Sequence, residues 1–189
     1  MVIPISFYAK PSRLRDRMHD FKEHTDPAVR ASEGRAVAAI AARYILEHGT
    51  HLEQRFGPWD ETVAVPSTHH ENPPALQTAI EEHSPDILAP FTRPLVRGAG
   101  DMGFNQASEA GFAVVDDVTG KSFLLLDDTF TTGARLQSAH HALLAAGATV
   151  PAAIVVTRKI NPSTTYGSLD MWNRQTQVAF RFDSPPWWS

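Results

Sequence analysis

One segment, Ser122–Thr157, constrains the fold of this 189-residue chain more than any other. Phe123, Leu124, Leu125 and Leu126 form an uninterrupted apolar run. A run that short, without alternation and closed by polar residues, reads as a strand covered on both faces. Leu136, Ala139, Leu143 and Ala146 then recur at helical spacing, and Gly147 stands where such a helix stops. Val150–Thr157 supplies a second buried strand. Apolar strand, helix, apolar strand is the βαβ unit, which joins parallel strands and lays its helix over the sheet. The expected fold class is therefore α/β, a parallel-rich sheet flanked by helices.

The remaining segments fit around that unit. Pro4–Tyr8 reads as a short strand, and Leu14, Met18 and Phe21 follow at helical spacing in a basic stretch. Asp26-Pro27 is an N-cap followed by proline at the first helical position. Val37, Ile40, Ala41, Tyr44 and Ile45 make an apolar helical stripe expected to end at Gly49. Glu61–Val65, closed by Pro66, is another strand, and Asn72-Pro73 opens a helix ending near His83. Ile87–Val96 is ambiguous because Pro90 and Pro94 interrupt any ladder. Arg97–Ala110 lacks periodicity and reads as a long loop, a feature that in compact domains is usually functional or disordered. Phe112–Val115 and Ser122–Leu126 are apolar runs joined by the turn Asp116–Gly120, which Lys121 ends. Gln175–Asp183 alternates like a strand, with Val178, Phe180 and Phe182 on one side. The length suits one domain, with 1–26 and 161–189 as cap or hood elements.

Composition narrows the function classes. There is no cysteine, which removes disulfides, thiolate zinc sites and cysteine nucleophiles together. A formal charge of −4 argues against a nucleic-acid-binding surface over the whole chain and leaves only the basic stretch Lys10–Lys22 for such a partner. The apolar start has no basic region before it, so it is not read as a signal peptide, and no later segment is long enough to span a bilayer. A cytoplasmic location without a membrane partner is the expectation.

Chemistry concentrates directly after the first buried strand. Asp127 and Asp128 emerge at its carboxyl end, where open α/β sheets bind ligands. The turn Thr129-Phe130-Thr131-Thr132-Gly133-Ala134-Arg135 then runs into a helix. Such a turn gathers unpaired amides at the positive end of the helix, which favours a phosphate dianion. Thr131 and Thr132 can add hydroxyl donors, and Gly133 lets the backbone come close or take a positive φ. Carboxylates repel phosphate but suit ribose hydroxyls, and they can help order a Mg²⁺-loaded substrate. The ligand called for carries a phosphate and a sugar diol one ring apart.

Four hydrophobics, two acids and a Thr-Thr-Gly loop, in that order, resemble the phosphoribosyl pyrophosphate motif of type I phosphoribosyltransferases. The resemblance implies that family's fold, with phosphoribosyl pyrophosphate and Mg²⁺ used to transfer phosphoribosyl to a nitrogen nucleophile such as a nucleobase. Asp127 and Asp128 would be the catalytic pair on the ribose 2′ and 3′ hydroxyls. Thr129, Phe130, Thr131, Thr132, Gly133, Ala134 and Arg135 would wrap the 5′-phosphate. Arg135 replaces a hydroxyl residue of the family and either pairs with phosphate or points away. The order of segments is similar to the ComF-like branch, through Pro4–Tyr8, Val63–Pro66, Gly103–Gln106 and Gly111–Val114. That likeness makes Ser67, Thr68, His69 and His70 a candidate pyrophosphate loop, and Arg97–Ala110 a loop closing over the site with Arg97 as a candidate cation. The cysteine zinc module that ComF proteins often carry is missing here. No metal site preformed by protein side chains is expected, since His69-His70 has no third ligand nearby.

Two other readings stay open. One is a regulator or nucleic-acid-uptake accessory protein that binds the donor without transfer. The other is a generic phosphate-binding domain of flavodoxin-like topology. The acceptor is unidentified, and Trp172, Trp187 and Trp188 suit either a base pocket or the interface of a homodimer.

Overall fold

The computed structural model describes residues 1–67, 74–88, 90–163 and 169–183. In chain order these form β1 (Val2–Tyr8), α1 (Arg13–Glu23), α2 (Pro27–Phe56), β2 (Glu61–Ala64) and α3 (Ala75–His83). There follow β3 (Leu95–Arg97), β4 (Phe112–Val114), β5 (Ser122–Phe130), α4 (Ala134–Ala145), β6 (Thr149–Lys159) and α5 (Leu169–Thr176). Strands β1, β6, β5 and β2 lie side by side in that order, and every pairing is parallel. The expected α/β class is borne out, with β5–α4–β6 as its centre. A separate antiparallel ribbon pairs β3 with β4.

Period-two alternation along β5 divides the core between the two faces of the sheet. Leu124 and Leu126 face a cluster with Met18 and Phe21 of α1, Val37, Ala41 and Ile45 of α2, and Ile80 of α3. Phe123 and Leu125 face the opposite cluster, with Leu136, Ala139 and Leu143 of α4 and Leu95 and Phe112 of the ribbon. Continuing the alternation sends Asp127 toward α4 and Asp128 toward α1, and the functional site depends on that split.

Several local expectations change in three dimensions. The helix expected to stop at Gly49 runs on to Phe56, because Gly49 keeps ordinary helical backbone; the chain turns at Gly57, with φ of 106°. Its start is as expected, with Asp26 accepting from the Ala28 amide at 2.8 Å and proline in the first turn. The opening segment expected in a cap supplies edge strand β1, held in register from Val2↔Ala153 to Tyr8↔Lys159. The runs on either side of Asp116–Gly120 enter different sheets, β4 pairing with β3 and β5 with β2 and β6. Lys121 beyond that turn pairs with Glu61 at 2.9 Å. The alternating tail forms no strand: α5 takes Leu169–Thr176, and 177–183 lie in irregular backbone with Val178 and Phe180 exposed. Asn72-Pro73 and the Trp187-Trp188 pair lie outside the described residues, and Trp172 is half-buried. Among the described residues no helix is long and apolar enough to cross a membrane.

Candidate functional site

β5 keeps its ladder with β6 beyond the apolar run, through Asp127↔Val155, Thr129↔Thr157 and Phe130↔Arg158. The two acids therefore sit within the last turns of a strand rather than after it, and they are held by the sheet. Asp127 is buried and Asp128 half-buried. Thr131, Thr132 and Gly133 then make a three-residue turn into α4. Gly133 occupies the N-cap with φ of 84° and ψ of 0°, a left-handed conformation. A Cβ there would lie 2.6 Å from the Phe130 ring, so both backbone and space require glycine. No side chain caps α4. Its first-turn amides face the turn, the arrangement that attracts an anion at a helix N-terminus.

The carboxylates are already engaged. Asp127 Oδ1 accepts from Arg135 Nη2 at 2.5 Å and from the Asp128 amide at 2.9 Å. Asp128 Oδ2 pairs with Lys22 Nζ at 2.5 Å, and its Oδ1 lies 3.7 Å from Arg135 Nη2. That Oδ1 is buried and has no hydrogen-bond partner. Unpartnered buried oxygens are costly, and this one is an acceptor waiting for a donor. Burial pushes the Asp127 carboxyl up to about 6; the Asp128 charge adds to the rise, and Arg135 and Lys22 oppose it. The neighbouring Asp127 charge raises Arg135 in turn. Thr157 Oγ1, 3.2 Å from both the Asp128 carbonyl and Thr129 Oγ1, ties the strand end to β6.

These groups open on a cavity of about 580 Å³ lined by residues 127–136 on one side. Its other walls are Tyr8 of β1, Arg15, Met18, His19, Lys22 and Glu23 of α1, and Met102, Gly103 and Phe104 of the long loop. Burial raises the Tyr8 phenol, with Arg15 acting against the rise and Asp128 adding to it. The loop is tied down at its base, where Gly98 and Gly100 donate to Gly111 and Ala110 at 3.0 and 2.8 Å. Farther along, the Ser108 amide donates to Ser138 Oγ of α4 at 2.9 Å.

Sequence-predicted residues divide accordingly. Asp127–Arg135 assemble around one cavity, but Arg135 neither reaches into the phosphate turn nor points away: it folds back onto the acids. Arg97, the candidate loop cation, lies apart from these groups. Its guanidinium donates to the Gly111 carbonyl at 2.6 Å and does not line the cavity, so it braces the ribbon. Ser67 follows β2 at its carboxyl end, while Thr68, His69 and His70 lie outside the described residues. Lys22 was missed. Its signal was its place one helical turn after the buried Met18, which puts it beside the face that α1 packs inward. The basic stretch considered for nucleic acid thus sends Arg15 and Lys22 to this cavity, and Arg17 to Glu33 at 2.9 Å.

Mg²⁺ is expected with the substrate and not on a preformed protein site, so the question for these groups is only whether they would hold the ion themselves. Magnesium seeks near-octahedral oxygen donors and anionic charge. Lys22 and Arg135 each offset one carboxylate, so the four side chains together present no net charge to a divalent ion. The acid pair as it stands does not fit a magnesium site.

Fold and site together define an α/β domain with an acid pair and an open helix N-terminus at the carboxyl edge of a parallel sheet. No protein-family model and no curated protein matches the chain, so the finer likeness to the ComF-like branch finds no support. Among solved structures the chain is similar to Leishmania donovani UMP synthase, at 17% identity and a TM-score of 0.41. The match covers 82% of this chain and 31% of that one, so this chain spans roughly a third of the structure it resembles.

Proposed function

We propose that the protein is a phosphoribosyltransferase of the type I class, taking phosphoribosyl pyrophosphate and passing its sugar to a nitrogen nucleophile such as a nucleobase. The carrying observation is the unpartnered Oδ1 of Asp128 beside the uncapped N-terminus of α4, both on one cavity. The turn amides and the hydroxyls of Thr131 and Thr132 receive the 5′-phosphate. Asp128 Oδ1 accepts from a ribose hydroxyl, and Asp127, fixed by Arg135 and the Asp128 amide, keeps that acceptor aligned. Phosphate binding far from the reacting carbon supplies the energy that positions C1. The C1–O bond to pyrophosphate breaks as the C1–N bond forms, pyrophosphate carries away the electron pair, and the nitrogen's proton goes to solvent.

Calorimetric titration with phosphoribosyl pyrophosphate should give micromolar binding, about 8 kcal/mol of affinity. Asp128→Asn should weaken it by at least about 10-fold. Wild type releasing pyrophosphate with one member of a nucleobase panel would complete the case. Equal binding by wild type and Asp128→Asn would refute the placement.

One observation favours a second reading, a donor-binding regulator: Arg135 occupies the buried acid rather than the phosphate turn. That reading predicts donor binding with no pyrophosphate release across the whole panel.

A further inference from the structure

A second cavity, of about 510 Å³, lies against edge strand β1 and shares no lining residue with the first. That volume is in the range of small-molecule sites. Phe7 of β1 and Tyr44 of α2 line it on one side, and Trp172 of α5 with Phe180 and Phe182 on the other. Aromatic walls of this kind suit a flat ring, which they meet by stacking or edge-on. Val178, Phe180 and Phe182, whose alternation makes no strand, all line this cavity. One polar group in its wall lacks a partner. His48 is only 7% exposed, its ring centroid lies 4.7 Å from that of Tyr44, and it makes no hydrogen bond to any described residue. Buried polar groups are nearly always hydrogen-bonded, and a neutral imidazole offers one donor and one acceptor. Arg174, also of this lining, is exposed and has no ion pair among the described residues, whereas Arg181 is closed by Asp183 at 2.6 Å. A free guanidinium fork matches a carboxylate.

We infer that this cavity is a second ligand site, built for a planar heteroaromatic carboxylate. The ring lies among the aromatic side chains, a polar atom of its edge bonds the His48 imidazole, and its carboxylate pairs with Arg174. Each of the three features answers one property of the wall: apolar flat surface, an unpartnered buried imidazole and an unpaired cation. The site stands apart from the function proposed above, since neither cavity uses a residue of the other.

The test is calorimetric titration of the whole protein with indole-3-acetate, for wild type, His48→Leu, Arg174→Gln and Asp128→Asn. Indole-3-acetamide, which keeps the ring and loses the charge, is the companion probe. Wild type should bind the acetate with a dissociation constant below about 1 mM, and the amide at least about 10-fold more weakly. Arg174→Gln should bind the two probes alike, because the charge they differ by has lost its partner. His48→Leu should lose at least about 10-fold for both, and Asp128→Asn, in the other cavity, should match wild type. No binding of the acetate by wild type overturns the inference. So does affinity unchanged by His48→Leu and by Arg174→Gln. Loss of binding in Asp128→Asn would place the probe in the first cavity and overturn it as well. If His48→Leu does not fold, Arg174→Gln, a change on an exposed side chain, decides alone.

Discussion

Replacing Gly133 by alanine probes the turn more sharply than any change to a charged group. The residue sits at φ of 84°, and an added Cβ would lie 2.6 Å from two ring carbons of Phe130 and 3.4 Å from Gln137 Nε2. Left-handed backbone costs an L-residue about 1–2 kcal/mol. Overpacking against the ring adds about 1–3 kcal/mol. The ring cannot swing aside freely, since it packs on the α4-side core and has the Arg158 guanidinium 5.4 Å from its centroid. Alanine returns about 0.4–1 kcal/mol by restricting the unfolded chain. The net loss should be about 2–4 kcal/mol. Gly120 is the control, with φ of 73° and nothing within 4 Å of a built Cβ. Gly120→Ala should therefore lose only about 1 kcal/mol. Urea unfolding followed by far-ultraviolet circular dichroism reads both. A Phe130→Leu background should shrink the gap between them, with a coupling of about 0.5–3 kcal/mol. If Gly133→Ala costs no more than Gly120→Ala, the ring does not press on the turn and the account of the phosphate cradle is wrong.

Two further predictions concern the acid pair and the loop. Burial raises the folded Asp127 carboxyl from 3.8 to about 6, so its protonated form favours folding below pH 4 and that contribution is lost as pH rises through 6. Wild type should accordingly lose stability relative to Asp127→Asn between those limits in urea unfolding at stepped pH; parallel profiles would exclude the shift. Ser138 is buried, accepting from the Ser108 amide and donating to the Ala134 carbonyl, each at 2.9 Å. Ser138→Ala should cost about 1–2 kcal/mol and speed hydrogen exchange at Ser108, whose amide α4 holds through this hydroxyl. Unchanged exchange there would mean the loop is anchored elsewhere.

What the residues determined alone was local. The apolar run Phe123–Leu126 and the helical face Leu136–Leu143 specify burial on both sides of β5, because period two and period 3.6 each leave one arrangement that hides them. Asp26-Pro27 and the Thr-Thr-Gly turn are likewise legible, since capping and positive φ involve only neighbours in the chain. Tertiary structure decided the rest. The alternation of Gln175–Asp183 is real, yet a strand needs a partner's ladder, and none pairs with it among the described residues. Gly49 is an adequate stop, but a helix ends only where the backbone turns, and burying Leu52 and packing Phe56 against the core carry α2 on to Gly57. The partners of the acids could not be read either: Lys22 and Asp128 are distant in the chain, and Arg135 had two plausible directions. Strand alternation put Asp127 on the α4 side and Asp128 on the α1 side, and each then took the cation its own helix presented. Charge pairing follows from which helix covers which face, a property of the assembled sheet and of no single segment.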